Sequence, residues 1–250
     1  MALRRALRPV ALAYHGVNYV APGDDPLDLV MAPEHLEAHI RLLQRAGYRF
    51  LTAEEVVAAG GGARQPRGTA VLTFDDGWRD ALTVVTPLLR RLGVRATFYV
   101  NPGVWGGAHH VVGGEAGRLM TADDARALVT AGMELGAHSM RHDDLRVLDD
   151  ATLTADLAAC REGVEAVSGG PCRTLAYPFG AHDERVRAAT AAAGYELAWG
   201  WVPGPWDRFA APRLPGPTRH GGGRLALKLL GVGRRRTIGP PPTTPAGPPE

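Results

Sequence analysis

Two hydrophobic periods alternate along the chain. Solid apolar runs of strand length are "VALAY" at 10–14, "YRFLT" at 48–52, "TAVLTF" at 69–74, "RATFYV" at 95–100, "MELGAH" at 133–138, "TLAYPF" at 174–179 and "YELAWGW" at 195–201; "FAAPRLP" at 209–215 closes the series. Runs without polar alternation predict strands buried on both faces. Between them lie stretches of helical period at 32–48, 52–60, 81–93, 121–132, 149–167 and 183–194. In the first, Leu36, Ile40, Leu43 and Ala46 form one stripe ended by Gly47. Thr52 with Glu55, three residues on, predicts a capping box, and Thr121 with Asp124 repeats the start. Pro87 falls near the middle of 81–93.

Strands alternating with helices predict a parallel sheet, doubly wound or closed into a barrel, and seven or eight strands favour the barrel. In such barrels functional groups sit where strands end and loops begin. Four strand ends carry reactive side chains or turn signals. His15 follows "VALAY", Asp75 and Asp76 follow "VLTF", His138 and His142 follow "MELGA", and Pro178 to Gly180 follow "TLAY".

Adjacent carboxylates at the end of a buried strand repel each other, and a bound dication would let both stay ionised. One carboxylate and two histidines suit a zinc-like cation that keeps a position open for water, leaving the second carboxylate free as a base. His35 and His39 show the same spacing as His138 and His142, but on a helix and without the Glu of a metalloprotease motif, so they read as surface residues. His109 and His110, in the Gly-rich loop 101–119, read as residues of a substrate-side or merely exposed loop.

These residues resemble the polysaccharide deacetylase family, the NodB-homology domains of carbohydrate esterase family 4. "TFDDG" matches the family's first motif, "HSMRH" its second and "AYPFG" looks like its third; the likeness spans residues 9–218. The resemblance implies a distorted (β/α) barrel of about seven parallel strands, one divalent metal (Zn2+, with Co2+ or Ni2+ as alternatives) and removal of acetyl groups from N-acetylated sugars or glycoconjugates. Carried over by position, Asp75 is the general base, and Asp76, His138 and His142 are the metal ligands. The backbone N–H of Phe179 helps hold the oxyanion. "LAYHG" is similar to an N-terminal strand that supplies the acid in some bacterial members, which makes His15 the candidate acid. The third motif often begins with an Arg that supports the base, but Ala176 stands there. Arg213, in "APRLP", is the candidate replacement, whereas Arg173 is expected to point away. Trp201 and Trp206 are candidates to line the acetyl pocket or stack on a sugar. The alternatives are another metal-dependent C–N hydrolase, such as a deformylase or amidase, and a non-catalytic carbohydrate binder suggested by the missing Arg.

Composition changes this picture little. The 250 residues carry a net charge of +2, but six Lys or Arg lie between Arg219 and Arg236 with no acidic residue among them. The expected division is therefore a catalytic domain over 1–218 and a basic, Gly/Pro-rich flexible tail over 219–250. A membrane contact by "RLALKLL" ranks below a helix packed on the domain. Arginine abundance alongside Ala, Gly and Pro gives no case for nucleic-acid binding. Cys160 and Cys172 are expected to be free thiols rather than a framework. The N-terminal apolar run is too short for a signal peptide, so the expected location is cytoplasmic.

Overall fold

The computed structural model describes residues 7–21, 23–60, 64–201, 206–218 and 222–229. Its centre is a parallel sheet made of β1 (Val10–Tyr14), β4 (Arg49–Leu51), β5 (Thr69–Phe74), β6 (Thr97–Val100), β7 (Glu134–Ala137), β8 (Thr174–Ala176), β9 (Leu197–Gly200), β10 (Ala211–Pro212) and β11 (Leu214–Pro215). β2 (Gly16–Val17) and β3 (Val30–Met31) form a separate short pair beyond β1. Every residue of β1, β5, β6, β8 and β9 is buried, as their unbroken apolar runs require.

The sheet curls into a distorted barrel in the order β10-β9-β8-β7-β6-β5-β1-β11, with β4 beside the start of β5. β10 pairs with β9 and β11 pairs with β1, so the segment 211–215 bridges the two edges. Arg213 sits in the gap between them.

Among the described residues seven α-helices pack outside: α1 (Pro33–Arg45), α2 (Ala53–Ala58), α3 (Thr86–Leu92), α4 (Ala122–Thr130), α5 (Asp150–Ser168), α6 (Glu184–Ala192) and α7 (Gly222–Leu229). Both expected capping boxes form, at Thr52/Glu55 and Thr121/Asp124. The helix expected over 81–93 is divided: Ala81–Val85 is a π-helical turn and α3 begins at Thr86, with Pro87 in its first turn. Proline lacks the N–H that a continuous α-helix would use there, and a helix start tolerates that loss.

His39 corrects its surface reading. It is fully buried, with Nδ1 3.2 Å from the Tyr14 hydroxyl, while His35 Nδ1 lies 3.1 Å from the Thr218 carbonyl oxygen. Position 39 is three beyond Leu36 and four before Leu43, and so shares the buried face. Cys160 and Cys172 are buried and unbridged, and burial pushes the Cys172 thiol up to about 12. Within the segment expected to be a flexible tail, α7 packs on α1, with Leu225 buried; residues beyond 229 lie outside those described. Among the described residues, no helix is long and apolar enough to cross a membrane.

Candidate metal centre and active site

Strand register brings the reactive residues to one rim. β1 and β5 pair from Val10↔Ala70 to Tyr14↔Phe74, so His15 and Asp75 come one step later, and the Asp75 N–H donates to the Tyr14 carbonyl at 2.9 Å. β6 and β7 pair through Val100↔Ala137, and His138 N–H continues the ladder to the Val100 carbonyl at 3.0 Å. β8 ends at Ala176 against Trp199, just before Pro178–Gly180.

The backbone leaves regular geometry at this rim. Five non-glycine residues among those described have positive φ, and four are Asp76 (70°), Ser139 (62°), His142 (65°) and Phe179 (56°). Such angles cost energy and persist where surrounding structure holds them. Asn101 supplies part of that hold, donating its side-chain amide to the carbonyls of His138 and Ser139. Asp156 accepts the Met140 N–H at 3.2 Å. The turn through Ser139 and His142 folds a four-residue spacing back on itself, so two histidines converge without a helix.

The convergence is on Asp76. His138 Nε2 lies 3.2 Å and His142 Nε2 3.3 Å from Asp76 Oδ1, and the three donor atoms lie within 4.8 Å of one another. The donor set passes a physical test for a divalent metal. His138 Nδ1 is 2.7 Å from the Ala176 carbonyl oxygen, so we assign the ring proton to Nδ1, leaving a lone pair on Nε2. That lone pair faces a carboxylate oxygen which is buried and accepts no hydrogen bond. Two acceptors this close repel unless positive charge sits between them. Burial alone would lower the His138 pKa, yet Asp76, Asp75 and the Ala176 carbonyl raise it overall. Burial likewise raises Asp76, but His142, His109 and His138 hold it well below the ordinary value. The pocket therefore favours a cation, and Asp76, His138 and His142 can hold one.

Asp75 has different partners. It is 2% exposed, and Arg213 forks onto it: Nη1 to Oδ1 at 2.7 Å and Nη2 to Oδ2 at 2.8 Å. Nη1 also donates to Thr73 Oγ1 at 2.9 Å. Burial raises the Asp75 pKa, but Arg213 and then His138 outweigh it, so the carboxyl sits below its ordinary value and stays ionised. The guanidinium lies over the rings of Tyr99 and Trp201, at 5.7 and 5.4 Å. Arg173 points to the opposite end of the barrel, where Nε donates to Glu54 at 2.6 Å.

A pocket of about 100 Å³ opens over this cluster, lined by His15, both carboxylates, His138, His142, Phe179 and Trp201, with His109 and His110 from the loop. His15 stacks on Trp201 at 6.1 Å. Trp201 lies so close to Gly180 that a Cβ there would meet its Cδ1 at 1.4 Å, so glycine is required at that turn. Trp206 lies away from this lining, edge-on to Trp199 at 6.0 Å.

His109 was missed as a site residue. Its side chain is 6% exposed, and its Nε2 lies 3.6 Å from Asp76 Oδ2, the oxygen not facing His138 and His142. Loop position masked it, because nothing in "GGAHHVVGG" shows that the loop folds back onto residue 76. Trp78, two residues after Asp76, donates Nε1–H to the same oxygen at 3.3 Å.

The polysaccharide deacetylase family pattern matches residues 62–198. The chain belongs to that family. Among curated relatives, YxkH of Bacillus subtilis (strain 168), whose name places it with the polysaccharide deacetylases, is 24% identical over 198 residues, spanning 79% of this chain and 66% of its own. A chitin deacetylase of Pestalotiopsis sp is 31% identical over 101 residues, which are 40% of this chain and 30% of that enzyme. Among solved structures, the Streptococcus pyogenes deacetylase PplD in complex with acetate superposes with a TM-score of 0.72 at 22% identity, covering 84% of this chain and 93% of that one. That likeness shows the fold to be the deacetylase barrel. Neither His15 nor Arg213 lies within the residues matched by the family pattern, so the barrel contributes both from outside that deacetylase segment.

Proposed function

We propose that the chain is a metal-dependent carbohydrate deacetylase that hydrolyses the acetamido group of an N-acetylated sugar or glycoconjugate. One observation carries this reading: an ionised carboxylate locked by an arginine stands beside a three-donor set with an unsatisfied buried oxygen, under one small pocket. Two nitrogens and one oxygen favour Zn2+, with Co2+ or Ni2+ as substitutes. When bound, such a cation would polarise the acetyl carbonyl and acidify water.

The residues supply the rest. Asp75 is positioned to take the proton of the attacking water, and the Arg213 fork fixes both its oxygens while keeping it ionised. The Phe179 N–H, at the positive-φ turn after β8, supports the oxyanion of the tetrahedral species. His15 then delivers a proton to the leaving amine. Burial, with Arg213 and His138, lowers its pKa against the pull of Asp76 and Asp75, so the ring must take up a proton before this step and then gives it up readily. Trp201, stacked on His15 and over Arg213, forms the wall against the acetyl methyl. The Arg213 fork also removes the motive for reading the chain as a non-catalytic binder.

The test is product analysis of metal-loaded protein on a panel of N-acetylated sugars, with N-formyl and cyclic amide substrates beside them. Acetate release that a chelator abolishes is expected. Formate or ammonia release without acetate would move the chain to another class of C–N hydrolase. His15→Ala should slow amide cleavage far more than cleavage of an activated acetate ester, whose leaving group needs no proton. Equal losses would remove His15 from the acid role.

A further inference from the structure

Asp76 offers only Oδ1 to the two ligand histidines, and the surroundings of Oδ2 explain why. Trp78 Nε1–H donates to Oδ2 at 3.3 Å, and His109 Nε2 lies 3.6 Å from it. The His109 tautomer is set by its other nitrogen: Nδ1 accepts the N–H groups of Val111 and Val112, each at 3.3 Å, so the proton is on Nε2 and faces the carboxylate. The His109 ring stacks on the Trp78 indole at 4.5 Å, and both side chains are buried.

The loop carrying His109 is built onto the segment carrying Asp76. Met120 N–H donates to the Gly77 carbonyl at 2.8 Å and Arg79 N–H to the Arg118 carbonyl at 2.9 Å. Single antiparallel bridges join Trp78 to Leu119 and Ala108 to Arg118. His109 N–H donates to the Gly117 carbonyl at 2.7 Å. Gly117 permits this fold, because a Cβ there would meet the Val112 carbonyl oxygen at 1.8 Å.

We propose that Trp78 and His109 are positioning residues for the metal ligand Asp76, forming an N–H brace that reserves Oδ1 for the cation. The proposal rests on the deacetylase reading only in taking Asp76 as a ligand. Neutral N–H donors on the outward oxygen orient the carboxylate without adding charge. Removing partners of this kind typically weakens metal affinity by ~10–100-fold.

The test is Co2+ affinity of the metal-stripped full chain, measured by chelator competition, together with the visible absorption of the Co2+-loaded protein. Trp78→Phe keeps an aromatic ring without the donor, and His109→Ala removes the donor from the loop. Each should weaken Co2+ binding by ~10–100-fold and shift the spectrum, while His109→Gln, which keeps an N–H, should recover much of the loss. Unchanged affinity and spectrum in both Trp78→Phe and His109→Ala would overturn the brace, as would a His109→Gln variant no better than the alanine. Parent protein that binds Co2+ but releases no acetate would sink the deacetylase reading while leaving the brace standing. Parent protein that binds no Co2+ would sink both.

Discussion

β7 is four residues long and carries a different kind of chemistry at each end. At its start Glu134 accepts Thr97 Oγ1–H at 2.6 Å and the Glu54 N–H at 3.1 Å, and burial pushes its carboxyl up to about 7. Just past its other end, His138 faces Asp76 across a gap that no hydrogen bond fills. Each end holds a carboxylate, yet Glu134 Oε1 accepts two neutral donors whereas Asp76 Oδ1 accepts none. The closed end latches α2 to the barrel, since Thr97 Oγ1 also accepts the Ala53 N–H at 2.9 Å. The open end gathers arginine, histidines and backbone strain around unpaired charge. Environment, more than residue type, separates a structural acid from a catalytic one.

The sharpest way to break this contrast is to neutralise the working carboxylate. Asp75→Asn keeps the shape but removes the base, and acetate release should fall by about 10²–10⁴-fold with metal content unchanged. Parallel loss of metal would make Asp75 a ligand and merge the two roles assigned to the pair.

Arg213 comes next. Replacing it with Met leaves Asp75 as a buried, unpaired charge, and removal of one partner from such a pair costs about 3–5 kcal/mol. Thermal unfolding should show that loss, and the double variant Arg213→Met/Asp75→Asn should recover part of it. A fully additive double variant would mean that the fork contributes no coupling.

Much of the open end was legible beforehand. Asp75, Asp76, His138 and His142 each follow an unbroken apolar strand, and the parallel register carries them to one rim. The Arg213–Asp75 pairing spans 138 positions, and its strand consists of two short pieces around the arginine itself. So short a strand has no period of its own, and only the "APRLP" context hinted at it. His109 was illegible for a related reason, since its role depends on a loop folding back through scattered backbone bonds. His39 was legible and misread: its place on the Leu36–Leu43 stripe outweighed the polarity of its ring.

The closed end makes the smallest prediction. Between the ordinary glutamate value of 4.5 and about 7, folded protein keeps a proton on Glu134 that unfolded chain has lost. Stability from this group is therefore present at low pH and declines as pH rises through that window. Glu134→Gln should match the parent near pH 4 and exceed its melting temperature at pH 8 by several degrees. An unaltered pH slope would show that Glu134 titrates normally.

The central claim is that the orphaned oxygen of Asp76 and two imidazole nitrogens exist to grip one cation. Equilibrium dialysis of metal-stripped protein against Zn2+, for the parent and Asp76→Ala side by side, tests it most directly. The account predicts one tightly bound equivalent in the parent and none in the variant. A parent that binds no Zn2+, or a variant that binds it as well as the parent, would contradict it.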